Sequence, residues 1–326
     1  MDNRIRLLTE LGEFLQSDDP AWTAARIKTS QHNTWFTPDF ISLAVKNIRE
    51  QFLDPEKLES WLRAYGLDQP VPSPKRIGLV MAGNVPLVGF HDFLCCFVCG
   101  HRMNIKLSSK DPFLFPLILE FLSAKDRVPE MQTAQMLKGM DAYIATGSNN
   151  SARYFEYYFG KYPSLIRHNR TSVAVLDGTE TNEELALLAD DVFQYFGLGC
   201  RNVTQLIVPR HYDFIPLLNA FKKYHWMADH NKYKNNYDYR LSLAILNKQF
   251  YMTQDNILLI ENESPFSPIS VLHYRFYDKE EEAGPRMQDE IQCVVGKRHL
   301  PFGKSQQPAL KDYADGMDTL TFLKNY

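Results

Sequence analysis

Strand-like and helix-like stretches alternate from Arg76 to Phe196, and that alternation limits the fold more than any other feature of the sequence. Residues 76–81, 103–107, 142–145 and 172–176 are short apolar runs that read as buried strands. Between them, apolar residues recur at helical spacing: Phe90, Phe93, Leu94, Phe97 and Val98, then 112–122, then a stretch ending near Phe159, then 182–196. Strand and helix at this interval build βαβ units, so the expectation is a parallel sheet covered on both faces. A helical pattern also precedes the sheet, over residues 5–65, with Asp18-Asp19-Pro20 and Thr37-Pro38 as breaks. Pro70, Pro72 and Pro74 make 68–74 a linker. Later strands are expected at 206–208, 257–260, 270–276 and 291–295, a helix at 214–221, and a loop or short helices at 224–239.

A chain of 326 residues can bury one large core or two, and 44% hydrophobic with 23% charged residues is the balance of a soluble globular protein. A net charge of -3 gives no reason to expect nucleic acid or an anionic membrane as partner. The N-terminal residues are polar and no apolar run reaches spanning length. Five cysteines, three of them crowded at Cys95, Cys96 and Cys99, argue for a reducing cytoplasm rather than disulfides. Those three lie on an apolar helix one turn after His91, without a complete set of metal ligands, and read as core with no metal site.

Ligands of open α/β sheets bind beyond the carboxyl ends of the strands. The turns there are Gly83-Asn84-Val85-Pro86, Lys106-Leu107-Ser108-Ser109 and Thr146-Gly147-Ser148. A fourth, Gly197-Leu198-Gly199-Cys200, puts a thiol behind two glycines and ahead of the apolar run Leu206-Ile207-Val208. Glycines allow the close backbone approach that thiolate attack on a carbonyl needs, and Arg201 beside the thiol can lower its pKa. Taken alone, the stretch fits a small buried core cysteine better, and the other segments reverse that reading.

Taken in order, these four segments resemble the aldehyde dehydrogenase superfamily, with weaker echoes at Glu263-Ser264-Pro265-Phe266-Ser267-Pro268 and Leu300-Pro301-Phe302-Gly303. Within it the chain is most similar to acyl-CoA and acyl-protein reductases of the bacterial luminescence (LuxC) type, on Gly-x-Gly-Cys and on length. The resemblance implies an α/β fold with a parallel Rossmann-type sheet domain and a catalytic α/β domain. It implies a helical segment over 1–74, a nucleotide-binding domain over 75–196, a catalytic cysteine domain over 197–304 and a C-terminal return segment over 305–326. Cys200 would take an acyl group as a thioester, with Asn84 and the Cys200 N–H as oxyanion hole. Lys106 would bind the adenosine ribose or its phosphate, Gly147 and Ser148 the pyrophosphate, and Glu263 the nicotinamide ribose.

Two departures refine this. Where hydrolytic dehydrogenases carry a general-base glutamate, the chain reads Ile166-Arg167-His168-Asn169-Arg170, which suits a thioester that is reduced rather than hydrolysed. His168 is either an acid or base for the aldehyde oxygen or a surface residue. Ser109 stands where a carboxylate would repel a 2'-phosphate, so NADPH is favoured with NADH open, unless Ser109 simply begins a helix. The expected activity is reduction of an acyl-CoA or acyl-carrier thioester, in fatty acid metabolism, to an aldehyde. The alternatives are an acyl-transfer or acyl-binding protein that has lost hydride transfer, and a CoA-acylating dehydrogenase running oxidatively. A homo-oligomer is compatible with all three.

Overall fold

The computed structural model describes residues 3–147 and 149–325. The chain divides into two compact units, Met1–Asn169 with Pro308–Tyr326, and Arg170–Gln307.

The first unit opens with four helices, α1 (Asn3–Gln16), α2 (Pro20–His32), α3 (Pro38–Phe52) and α4 (Pro55–Ala64). The last three begin alike: Asp19, Thr37 and Asp54 accept backbone N–H groups of the first turn, and a proline follows, where its missing donor costs nothing. Next come β1 (Arg76–Val80), α5 (Phe90–Cys99), β2 (Arg102–Lys106), α6 (Leu114–Ser123), β3 (Met131–Thr133), β4 (Ala142–Thr146), α7 (Asn149–Phe159) and β5 (Ser164–Arg167). The five strands are parallel, in the order β3-β2-β1-β4-β5.

The helical N-terminal segment does not stand apart from this sheet. Arg4 is buried and donates to the carbonyls of Val98 at 2.5 Å and Leu67 at 2.7 Å. Leu8, Trp22 and Trp61 share one apolar core with Ile77, Leu94 and Leu122.

The return segment joins the same core. The Trp61 indole donates to the Tyr313 hydroxyl at 3.1 Å, and the Tyr65 hydroxyl donates to Asp318 at 2.8 Å. Buried His101 accepts the Lys75 N–H on Nδ1 and donates from Nε2 to the Leu323 carbonyl, and burial lowers its pKa, so it sits as the neutral ring.

The second unit runs β6 (Thr171–Val175), α8 (Asn182–Phe193), β7 (Val203–Pro209), α9 (Phe214–Phe221), α10 (Asn231–Leu246), β8 (Met252–Thr253), β9 (Leu258–Glu261), β10 (Val271–Tyr277) and β11 (Ile291–Val295). Its sheet is ordered β11-β6-β7-β10-β9-β8, parallel except for β8. The helix α11 (Thr319–Lys324) belongs to the first unit.

Three sequence expectations are corrected here. The first sheet ends with β5, because β6 pairs with β7 and β11, so the break in the chain falls after Asn169 and not after Phe196. The polar stretch after Tyr224 is helical over Asn231–Leu246, because Tyr233, Tyr237 and Ala244 form a narrow buried stripe and His230 Nδ1 caps the first turn at the Tyr233 N–H. The helix from Asn182 stops at Phe193, three residues before its apolar pattern does.

Candidate active site

In the first unit the strands leave β1 in opposite directions, β2 to one side and β4 to the other, which makes the carboxyl ends of β1 and β4 the switch point of the sheet. The turn after β1 carries half-buried Asn84. A Cβ on Gly83 would lie 2.2 Å from Ser108 Oγ, so only glycine lets this turn pack on the turn after β2. Leu87 is held at φ 56, a conformation rare for a branched residue, and its N–H donates at 2.9 Å to Asp111 Oδ2. Asp111 is buried and its Oδ1 has no hydrogen-bond partner among the described residues. Burial pushes its carboxyl up to about 6 against the Leu87 hydrogen bond.

The turn after β4 begins at Gly147, where a Cβ would meet Ser151 Cβ at 2.8 Å and Phe155 Cε2 at 2.9 Å, so the glycine seats the first turns of α7 against the strand end. Ser148 lies outside the described residues. Lys106, at the end of β2, is exposed, as is Ser109, whose carbonyl accepts from His32 Nε2 at 2.8 Å.

Arg167, at the end of β5, is buried. Burial opposes its charge, but the Asp92 carboxylate beside it outweighs burial and raises its pKa. Its guanidinium binds Asp92, Thr146 Oγ1 at 3.3 Å and Thr319 Oγ1 at 2.7 Å. His168 is exposed, 3.4 Å from Glu156.

The second unit holds Cys200, a half-buried thiol outside any disulfide. Three successive residues before it, Tyr195 (φ 55), Phe196 (φ 57) and Gly197 (φ 72), are left-handed, although the first two are buried aromatics. Such a conformation costs about 1–2 kcal/mol per L-residue, so neighbours must hold it. Fully buried Asn202 does so. Its amide donates to the carbonyls of Asp191 at 3.1 Å, Val192 at 3.3 Å and Gln194 at 2.8 Å, which closes the end of α8. Its Oδ1 accepts the Gly199 N–H at 2.8 Å. On the far side of the cysteine, the Ser172 hydroxyl donates to the Cys200 carbonyl at 3.0 Å.

Two other segments are tied to the elements that flank this loop. Strand β7 starts three residues after Cys200, and its Gln205 donates to the carbonyls of Asn262, Glu263 and Ser264 at 2.9, 3.1 and 3.3 Å, while Thr204 donates to Pro265 at 2.5 Å. Glu263 itself is exposed and paired with Arg286 at 2.7 Å, beside a cleft of about 430 Å³ lined by Gln249, Phe250, Glu261 and Asn262. Asp191, whose backbone serves Asn202, accepts the Gly303 N–H at 2.6 Å and the Ser305 N–H at 2.9 Å, and Arg201 reaches the Ser305 carbonyl at 3.5 Å.

Asn84, Lys106, Ser109, Gly147 and His168 therefore fall in the first unit, and Cys200 and Glu263 in the second. Sequence reading missed Asn202, Ser172, Asp191, Gln205 and Asp111, all buried polar residues that hold backbone. The one available signal was a polar residue within or beside an apolar run, as at Ser172 and Gln205. Cys95, Cys96 and Cys99 are buried, and burial pushes the Cys99 thiol up to about 12 and the other two well up, the opposite of what a nucleophile needs. Among the described residues no group of three or more His, Cys, Asp or Glu side chains is placed to hold a metal, and no helix is long and apolar enough to cross a membrane.

No protein-family model matches the sequence, and no curated protein matches it closely enough to count. Solved structures do match. Aldehyde dehydrogenase 21 from Physcomitrella patens, in complex with succinate, covers 99% of this chain and 83% of its own at TM-score 0.68 and 12% identity. The Mycobacterium tuberculosis aldehyde dehydrogenase complexed with NAD+ covers 86% and 69% at 0.61 and 13%. The Streptococcus pyogenes succinic semialdehyde dehydrogenase in complex with NADP+ covers 86% and 72% at 0.62 and 15%. The chain thus has the aldehyde dehydrogenase fold, as the resemblance of its four ordered turns implies.

Proposed function

We propose that the chain is an acyl thioester reductase of the aldehyde dehydrogenase fold, using NADPH or NADH and forming a thioester on Cys200. The carrying observation is the Cys200 loop: a half-buried thiol outside any disulfide, following a strained backbone, on a loop that Asn202 and Ser172 hold from both sides. Strain kept by dedicated hydrogen bonds is typical of functional loops.

In this reading the Cys200 thiolate attacks the acyl carbonyl, and the CoA or carrier thiolate leaves. Asn84 and the Cys200 N–H steady the oxyanion. The switch-point turns suit a dinucleotide, since they lie beyond the carboxyl ends of β1 and β4, where open α/β sheets bind ligands; Lys106, Ser109, Gly147, Ser148 and Glu263 would hold it. Bound and reduced, the nicotinamide supplies hydride for the thioester carbon. Arg167 supports reduction over hydrolysis: it occupies the end of β5, its charge is committed to Asp92, and it offers no carboxylate to activate water. His168 remains a candidate proton donor to the aldehyde oxygen, on an exposed loop.

The test is intact-mass analysis after incubation with acyl-CoAs of graded length, with and without NADPH. The expected result is a single acyl adduct without NADPH, discharged as aldehyde with it. Cys200→Ala loses the adduct and drops turnover by roughly a thousandfold or more while still binding nucleotide. Turnover by Cys200→Ala at the parent rate would sink the reading. An adduct that NADPH never discharges, together with no nucleotide binding, would favour acyl transfer instead.

A further inference from the structure

The strands around Ser172 are irregular on both sides at once. Pairing of β6 with β7 shifts between Ser172 and Val173, and pairing of β11 with β6 shifts between Ile291 and Val294, around Cys293. Bulges re-aim side chains and gather beside active sites. These two converge on one hydroxyl. Ser172 is fully buried, accepts the Cys293 N–H at 3.2 Å, lies 3.1 Å from Cys293 Sγ and donates to the Cys200 carbonyl at 3.0 Å. A hydroxyl has one proton. Since it goes to the Cys200 carbonyl, the Cys293 thiol must be the donor in the sulfur contact.

We infer that Cys293 and Ser172 form a positioning relay for Cys200: the Cys293 thiol fixes the Ser172 rotamer, and Ser172 fixes the Cys200 peptide and with it the direction of the nucleophile. The second thiol serves as a hydrogen-bond donor, and any small donor at that position preserves the relay. The inference rests on Cys200 being the acyl acceptor, but its geometry can be tested without an acyl donor.

The experiment labels parent, Ser172→Ala, Cys293→Ala and Cys293→Ser with iodoacetamide across a pH series and reads the Cys200 peptide by mass, alongside kcat and KM for acyl-CoA. Misdirection of a nucleophile by about 1 Å can cost two orders of magnitude, so Ser172→Ala should lower kcat roughly tenfold or more with KM little changed. Cys200 labelling in Ser172→Ala should slow in parallel. Cys293→Ala should do the same to a smaller degree, and Cys293→Ser should recover most of that loss. Equal Cys200 labelling and kcat in parent, Ser172→Ala and Cys293→Ala would overturn the relay, as would a Cys293→Ser as slow as Cys293→Ala, because packing alone would then explain both. Should Ser172→Ala fail to fold, the two Cys293 variants decide. A parent that forms no acyl adduct but keeps this labelling pattern would remove the reductase reading and leave the relay standing.

Discussion

The turn at Asn84 and the loop at Cys200 solve one problem by opposite means. At Asn84 the space comes from an atom that is missing: Gly83 lacks the Cβ that would strike Ser108, and one carboxylate, Asp111, holds the left-handed Leu87. At Cys200 the backbone is bent by three left-handed residues in succession, two of them aromatic, and one amide with four bonds keeps it there. A turn made by omission tolerates loss of a side chain and fails on addition. A loop made by an amide clamp does the reverse.

Four substitutions break or sharpen that contrast. Asn202→Ala should have the largest effect, because it leaves several buried backbone groups without partners. A loss of about 3–4 kcal/mol is expected in urea unfolding of the full chain, with altered alkylation of Cys200. Gly83→Ala should follow at about 2–3 kcal/mol, since Ser108 Cβ, 2.5 Å from the added carbon, has no flexible end to swing away. A melting temperature equal to the parent's would remove the close approach from the account.

Asp111→Asn tests the other half of the Asn84 turn. With the folded carboxyl raised to about 6 and an unfolded value near 3.9, the folded state binds its proton more tightly. Its contribution is therefore full below about pH 4 and is lost as pH rises through about 6. The parent should lose up to about 2 kcal/mol between pH 4 and 7 relative to Asp111→Asn, read from thermal melts. Parallel pH curves would show that the carboxylate is better solvated than its burial implies. Gly197→Ala should be mildest, about 1 kcal/mol, since Tyr195 and Phe196 already adopt the same conformation under the Asn202 clamp.

Those differences also explain what was legible in the sequence. Ile77, Leu79, Ile144, Val173 and Ile207 announce their strands because a sheet covered on both faces is apolar throughout. Strands Met131–Thr133, Ser164–Arg167 and Met252–Thr253 lie at sheet edges, short and partly polar, and give no such signal. Three of the four turns were readable because glycine, proline or a cysteine marks them, and the fourth, Lys106 to Ser109, because it directly follows an apolar strand run. Asn202 was not, since an asparagine after a turn is ordinary and only the fold brings three carbonyls to its amide. The end of α8 misled for the same reason: nothing in Tyr195-Phe196 favours left-handed backbone, and the tertiary clamp imposes it.

The path of the chain carries one more consequence. Tyr313, Asp318 and Leu323 complete a unit whose other members, Trp61, Tyr65 and His101, precede them by more than two hundred positions. During synthesis the ribosome releases every strand of the second sheet before the peptide that closes the first core. The cysteine-bearing unit thus has all its residues available to fold while its neighbour still waits for its final helix.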